Sequence, residues 1–259
     1  MIPAMDSFAF LPPEVAHWAA LTMIAVSFAT SFITAAFGIG GGMILVAVLA
    51  VLLPPEALIP VHGMVQLGSN AGRAAILVRH MERSMLLPFA VGSAAGASLG
   101  GLLSVQIPPW LIQLAIGCFV LWAIFGRAPA IGRRHVVAAG AFSSFLTMFF
   151  GATGNFVAAM VRTKNLAPVD HVATHATLMT IQHFLKVFAF GLLGFAFGPY
   201  LPLIVLMIAS GFLGTMIGKQ VLVRMGEGYF RPVLNAILFL LASRLIWAGV
   251  SGYFAVQTP

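Results

Sequence analysis

Residues 37–73, FGIGGGMILVAVLAVLLPPEALIPVHGMVQLGSNAGR, recur 113 positions later as residues 150–186, FGATGNFVAAMVRTKNLAPVDHVATHATLMTIQHFLK. The register needs no gap. Phe37 falls on Phe150, Gly38 on Gly151, Gly41 on Gly154, Leu53 on Leu166, Pro55 on Pro168, His62 on His175 and Arg73 on Lys186. Ser31, Phe32 and Thr34 extend the match onto Ser144, Phe145 and Thr147, so a chance run of glycines does not explain it. After a slip of one residue, Leu87-Pro88 aligns with Leu201-Pro202 and Leu99-Gly100 with Leu213-Gly214. The chain therefore reads as two copies of one unit, residues 1–130 and 131–259.

Hydrophobic residues make up 61% of the chain and charged residues 7%, and the mean hydropathy is +1.05, values that a soluble surface cannot satisfy. Several apolar runs reach the roughly 18 to 20 residues needed to cross hydrocarbon. The single cysteine, Cys118, lies within an apolar run, which excludes an intrachain disulfide and a cysteine-based metal site. No Lys or Arg precedes the first apolar stretch, so residues 1–18 do not read as a secretory signal peptide. The thirteen cations are spread thinly between apolar segments, which argues against nucleic acid as a partner.

Apolar segments run at 15–37, 39–53, 57–79, 85–105, 109–126, 134–150, 152–163, 169–195, 199–222 and 230–253. Five segments per copy make the second copy enter the membrane upside down, which is the inverted-repeat plan of many secondary transporters. The cations agree with that plan. Arg79 and Arg83, Arg127, Arg133 and Arg134, Arg162 and Lys164, and Arg224 and Arg231 fall in alternate connections, which the positive-inside rule assigns to the cytoplasm. The other connections, LLPPEA, VQIPPW, FFGATGN and FGPYLP, carry none. Both termini are expected outside, and the fold class is an all-α polytopic membrane protein of two inverted repeats.

Segments 39–53 and 152–163 are too short to span, since 15 residues make only about 22 Å of helix against about 30 Å of hydrocarbon. Their glycine-rich starts, Gly38, Gly40, Gly41 and Gly42 in one copy and Gly151 and Gly154 in the other, are expected to be recessed into the membrane. Backbone of that kind is tolerated at depth only where protein or a water-filled cavity receives it. Close helix packing is the alternative use of such glycines.

The segment after each short one carries polar residues at helical spacing: His62, Gln66, Ser69, Asn70 and Arg73, then His175, Gln182, His183 and Lys186. A cation within a span is expensive and usually faces a pathway. The six carboxylates, Asp6, Glu14, Glu56, Glu82, Asp170 and Glu227, all fall in termini, loops or first helical turns. Two intramembrane cations without carboxylates predict an anionic ligand, and the free amides at recessed helix starts share that preference. The expected substrate-binding residues are Arg73, Lys186, His62, His175, Asn70, Gln66, Gln182 and His183, with Gly40, Gly41, Gly42, Gly154 and Asn155 supplying the turns. Arg73 could instead snorkel toward Arg79. The histidines are either proton carriers or packing residues, and Arg244 is either a third pathway cation or a packing residue. Met43, Met64, Met179 and Phe184 offer apolar wall.

On FGIGGGMILV with its proline-ended short helix, and on FGATGN with its own proline, the repeat resembles the TauE/SafE family of sulfite exporters and related small-anion permeases. The likeness runs over nearly the whole chain. The resemblance implies transport of small sulfur-containing anions or organic acids, such as sulfite, sulfonates and sulfoacetate, across a bacterial inner membrane. The second motif departs from the family pattern at Ala152, Thr153 and Asn155, where many relatives have another glycine cluster.

The leading expectation is a secondary transporter for a small oxyanion or organosulfonate, in contact with the lipid bilayer and needing no cofactor or metal. With no nucleotide-binding motif in the chain, a proton or another ion is the candidate coupling partner. An anion channel on the same site is the rival. An intramembrane enzyme is disfavoured by the lack of a nucleophile elbow or of metal-ligand spacing. Monomer and dimer are equally compatible with the lipid-facing residues.

Overall fold

The fold follows from where glycine and proline interrupt the apolar runs. In the computed structural model, which describes residues 11, 12, 14–37, 40–104, 108–126, 135–151, 153–221 and 230–257, every expected apolar segment is an α-helix. These are α1 (His17–Phe37), α2 (Gly41–Leu52), α3 (Pro55–Ile76), α4 (Leu86–Ser104), α5 (Pro109–Phe125), α6 (Val136–Phe150), α7 (Gly154–Arg162), α8 (Pro168–Leu192), α9 (Leu201–Val221) and α10 (Phe230–Gln257). No strand occurs among the described residues. Gly38, Arg127, Arg133, Arg134 and Arg224 lie outside them, as do Asp6 and Glu227.

Proline sets several of the starts. Pro55, Pro109 and Pro168 open α3, α5 and α8, where the missing N–H has no intrahelical partner to lose. Glycine makes the two reversals. Gly40 (φ 103°) turns α1 into α2, and Gly151 (φ 77°) turns α6 into α7, both in conformations that a Cβ disfavours. Among the described residues, four helices are long and apolar enough to cross a membrane: 17–36, 83–103 (from the preceding turn into α4), 198–218 (into α9) and 238–256 within α10. The protein is a multi-pass membrane protein. α3 and α8 are as long as these but too polar to qualify, and they pack against each other.

The remaining long helices pair around them, α1 with α9, α4 with α6 and α5 with α10. Small residues set the two closest seams. Gly92, Gly96 and Gly100 lay α4 onto Val137, Ala141 and Phe145 of α6, while Gly211, Gly214 and Gly218 lay α9 onto Ser27, Phe28 and Phe32 of α1. Without a hydrophobic drive between helices in lipid, such close backbone approach supplies the van der Waals contact that holds them. Serine hydroxyls add bonds across the second seam, Ser27 to the carbonyl of Met207 at 2.7 Å and Ser210 to that of Ile24 at 2.8 Å. Exchanging the two sequence copies turns α1 into α6 and α4 into α9, so one seam is the counterpart of the other.

Polar groups gather at opposite ends of the bundle. The turn after α3 meets the start of α8, with His80 Nδ1 3.0 Å from Asp170 and the Glu82 amide donating to Thr174. Arg79 and Arg83 thus share an end with Arg162 and Lys164. There, bonds from the Ser84 side chain and amide hold the Glu82 carboxyl below its ordinary range. At the other end Tyr200 donates to Glu14 at 2.6 Å, and that bond likewise holds the Glu14 carboxyl low.

Candidate functional site

The two reversals bring their helix starts against the middles of α3 and α8. α2 has 12 residues and α7 has 9, about 18 and 14 Å of helix, so neither crosses about 30 Å of hydrocarbon. The Nε2 of His62 lies 3.1 Å from the Gly42 carbonyl, and the Nε2 of His175 lies 3.1 Å from that of Gly154. A carbonyl only accepts, so each ring donates through Nε2. The matched histidines therefore pin the matched short helices.

A cavity of about 40 Å³ lies where these elements meet. Gln66, Asn70 and Arg73 line it from α3, and His175, Met179 and His183 from α8. Gly40, Gly42 and Met43 come from the first reversal, Gly154 and Asn155 from the second, and Thr34 from α1. At roughly 10 to 15 Å³ per water, it holds about three waters, the room of one compact anionic group.

Its electrostatics are one-sided. Arg73 is 6% exposed, so it does not snorkel, and it bonds Asn70 Oδ1 at 3.2 Å and Ser69 Oγ at 3.4 Å. Its Nε has no partner among the described residues. The Asn70 amide donates to the Gln66 carbonyl, which fixes the oxygen toward Arg73. Among the described residues no carboxylate lines the cavity. The starts of α2 and α7 lack side-chain caps, so their first amides keep the donors that helix geometry leaves over. Thr153, at the cap position of α7, spends its hydroxyl elsewhere: it donates to the Ser143 carbonyl and accepts from Gln182 Nε2 at 2.6 Å.

Four of the expected site residues stand outside the cavity. Gly41 faces α1, where an added Cβ would run into the Thr30 carbonyl and the Thr34 hydroxyl, so it serves packing. Gln182 is committed to Ser143 and Thr153. His62 and Lys186 lie behind His183, whose ring meets that of His62 edge-on at 6.0 Å. Lys186 is fully buried, and its Nζ donates to the Gly151 carbonyl at 3.3 Å. It reaches there because Gly63 leaves α3 bare: a Cβ at that position would stand 2.7 Å from Lys186 Cε. Arg244 is exposed on α10, away from the cavity. Thr34 is the lining residue that the polar stripes did not signal, although the internal repeat contained it.

A second, larger cavity of about 530 Å³ opens among the starts of α3 and α5 and the ends of α6 and α8, lined by Ile59, Pro60, Phe149, Phe150 and Phe190 among others. It is apolar, and its charged lining residue is Glu56, so it is no anion site. Ile59, His62 and Gly151 stand between it and the polar cavity: the open face of Gly151 meets Ile59 Cδ1 and His62 Nδ1. Among the described residues no cluster of His, Cys, Asp or Glu could hold a metal ion.

Known proteins share this arrangement of sequence. Residues 23–245 match the family described as sulfite exporter TauE/SafE. The chain belongs to that family. A probable membrane transporter protein of Sinorhizobium sp, ORF9, is 31% identical over 248 residues, covering 89% of this chain and 93% of the relative. A probable membrane transporter protein of Haemophilus influenzae is 26% identical over 242 residues, covering 87% and 93%. No solved structure matches the chain. TauE/SafE membership and the apolar helices make the chain a multi-pass membrane protein of a transporter family.

Proposed function

We propose that this chain is a secondary transporter that moves one small anion, a sulfur oxyanion or organosulfonate such as sulfite or sulfoacetate, across a bacterial inner membrane. The carrying observation is Arg73, buried in a carboxylate-free cavity that two uncapped helix starts also face. An unpaired guanidinium there is costly, and a bound oxyanion offsets that cost through charge-assisted bonds. Gln66, Asn70, Asn155 and His175 orient the ligand, and the amides that follow Gly40 and those of Gly154 and Asn155 serve as donors. Lys186 adds positive potential from behind His183.

The two copies lie in opposite directions across the membrane, with both termini outside and the connections bearing Arg79, Arg83, Arg162 and Lys164 inside. The sharing of one end by those cations supports this, as does the matching of the α4–α6 and α1–α9 seams. The apolar cavity beside Glu56 is then the outer vestibule, and the cycle is alternating access around the Arg73 site. The family relation supports transport in preference to catalysis.

Flux in proteoliposomes tests the reading. Arg73→Ala and Lys186→Ala are each expected to abolish anion flux while eluting as folded protein, and wild-type flux is expected to saturate. Normal flux in both variants removes the site assignment, and unsaturable flux replaces the transporter with a channel.

A further inference from the structure

Lys186 does work that the anion site leaves unexplained. Its side chain is wholly buried between α3 and α8, and its one acceptor among the described residues is the carbonyl of Gly151. The charged or titratable groups on the surrounding elements are Glu56, in the first turn of α3, His62 and Arg73 farther along it, and His175 and His183 on α8 itself. α4 and α6 contribute none, and Arg162, Asp170 and His171 stand at the far end, where α7 closes and α8 opens. Among the described residues no carboxylate pairs with it. An ammonium held this way is favoured only when negative charge sits nearby.

The Arg73 cavity is where an anion fits, and His183 stands between that cavity and Lys186. His183 lines that cavity and meets His62 edge-on, yet among the described residues both of its ring nitrogens lack partners, as does His62 Nδ1. Three buried, unbonded imidazole nitrogens in a row are expensive as packing, because each forfeits a bond that water would give. Those of His183 are what a proton path requires, since a neutral imidazole accepts at one nitrogen and donates at the other, while His62, whose Nε2 holds the Gly42 carbonyl, takes up and returns a proton at Nδ1.

Resting on the anion-transport reading above, we propose that Lys186 is the proton carrier of the transport cycle, loaded through His183 and His62 when an anion occupies the Arg73 cavity. The balance is simple. The neutral amine of Lys186 takes one proton from solvent by way of the imidazoles and becomes an ammonium, with no bond formed to the anion. When the anion leaves, the ammonium loses its counter-charge and returns the proton. One proton therefore moves with each anion in the same direction.

The measurement is proton uptake on binding, read with a pH indicator in weakly buffered detergent solution at pH 7.5. Sodium sulfate and sodium methanesulfonate, which take up no proton themselves at that pH, are titrated against a sodium chloride control, and thermal stabilisation is followed in parallel. Wild type is expected to take up about one proton per anion bound. Lys186→Arg keeps the charge but cannot release it, so it is expected to be stabilised by the anion with no proton uptake. Lys186→Met is a second variant should the longer Arg side chain not fit beside Gly63, and it too is expected to bind, more weakly, without uptake. Stabilisation of wild type with no proton uptake overturns the carrier and leaves the anion site standing, as does full uptake in Lys186→Arg or Lys186→Met. If neither of these anions, nor sulfite, thiosulfate or sulfoacetate, stabilises wild type, the anion-site reading fails and the proton carrier fails with it.

Discussion

Two glycines three residues apart, Gly151 and Gly154, are expected to respond to alanine with opposite signs. Gly151 sits at φ 77°, and a Cβ there would lie 2.8 Å from Val46 Cγ2, 3.2 Å from His62 Nδ1 and 3.3 Å from Ile59 Cδ1. The left-handed backbone costs an alanine about 1 to 2 kcal/mol, and overpacking a close-fitted site adds about 1 to 3 kcal/mol. Gly151→Ala is therefore expected to lose about 2 to 5 kcal/mol. Gly154 opens α7 in helical conformation, and the atoms nearest its Cβ would be His175 Nε2 at 3.6 Å, Met179 Cε at 3.7 Å and His175 Cε1 at 3.9 Å, ordinary contact distances. Alanine there gains up to about 1 kcal/mol of helix propensity. It also places a methyl group into a cavity of about 40 Å³, which weakens anion binding. Melting of the detergent-purified variants, with and without anion, reads both effects. A Gly151→Ala protein as stable as wild type, or a Gly154→Ala protein that loses more than about 1 kcal/mol, refutes the reasoning.

Gln182→Leu removes the bonds to Ser143 and Thr153 in a buried network and is expected to cost about 1 to 3 kcal/mol in melts, with no gain from added anion beyond that of wild type. Arg244→Ala, on the exposed face of α10, is expected to leave flux in proteoliposomes unchanged. Glu82 is held low by Ser84 in the folded protein, so the stability it contributes is present above the ordinary carboxylate value of 4.5 and is lost as pH falls below it. The difference in melting temperature between wild type and Glu82→Gln should accordingly narrow from pH 7 to pH 3.5.

The helices were legible in the sequence to within a few residues because glycine and proline mark their ends. Pro55, Pro109 and Pro168 stand at observed helix starts, and Gly40 and Gly151 make the observed reversals. The polar stripe of α3 was legible because spacings of three and four put Gln66, Asn70 and Arg73 on one face, and all three line the cavity. What the spacing could not give is how far each side chain reaches. Lys186 matches Arg73 in the repeat, yet the bare surface of Gly63 lets it lie across α3 to Gly151 and leave the cavity. Gly41 and Gly42 are neighbours, but the turn of the helix sends one against Thr30 and the other toward Gln66. Gly154 looked like a site of close backbone approach, whereas the space beside it is open enough for a methyl group. Thr34 carried no charge or stripe to mark it, and only the folding of α1 onto α2 brings it to the cavity.

The central claim is that a buried, unpaired Arg73 holds the transported anion, and thermal stabilisation tests it most directly. Sulfite, sulfate, thiosulfate, acetate, sulfoacetate, taurine and an aromatic sulfonate are each added to the purified protein, wild type beside Arg73→Ala. A ligand that binds only the folded state at a hundred times its Kd stabilises by about 2.7 kcal/mol. The account predicts a rise in melting temperature for one or two of the sulfur anions that vanishes in Arg73→Ala; an equal rise in both proteins contradicts it.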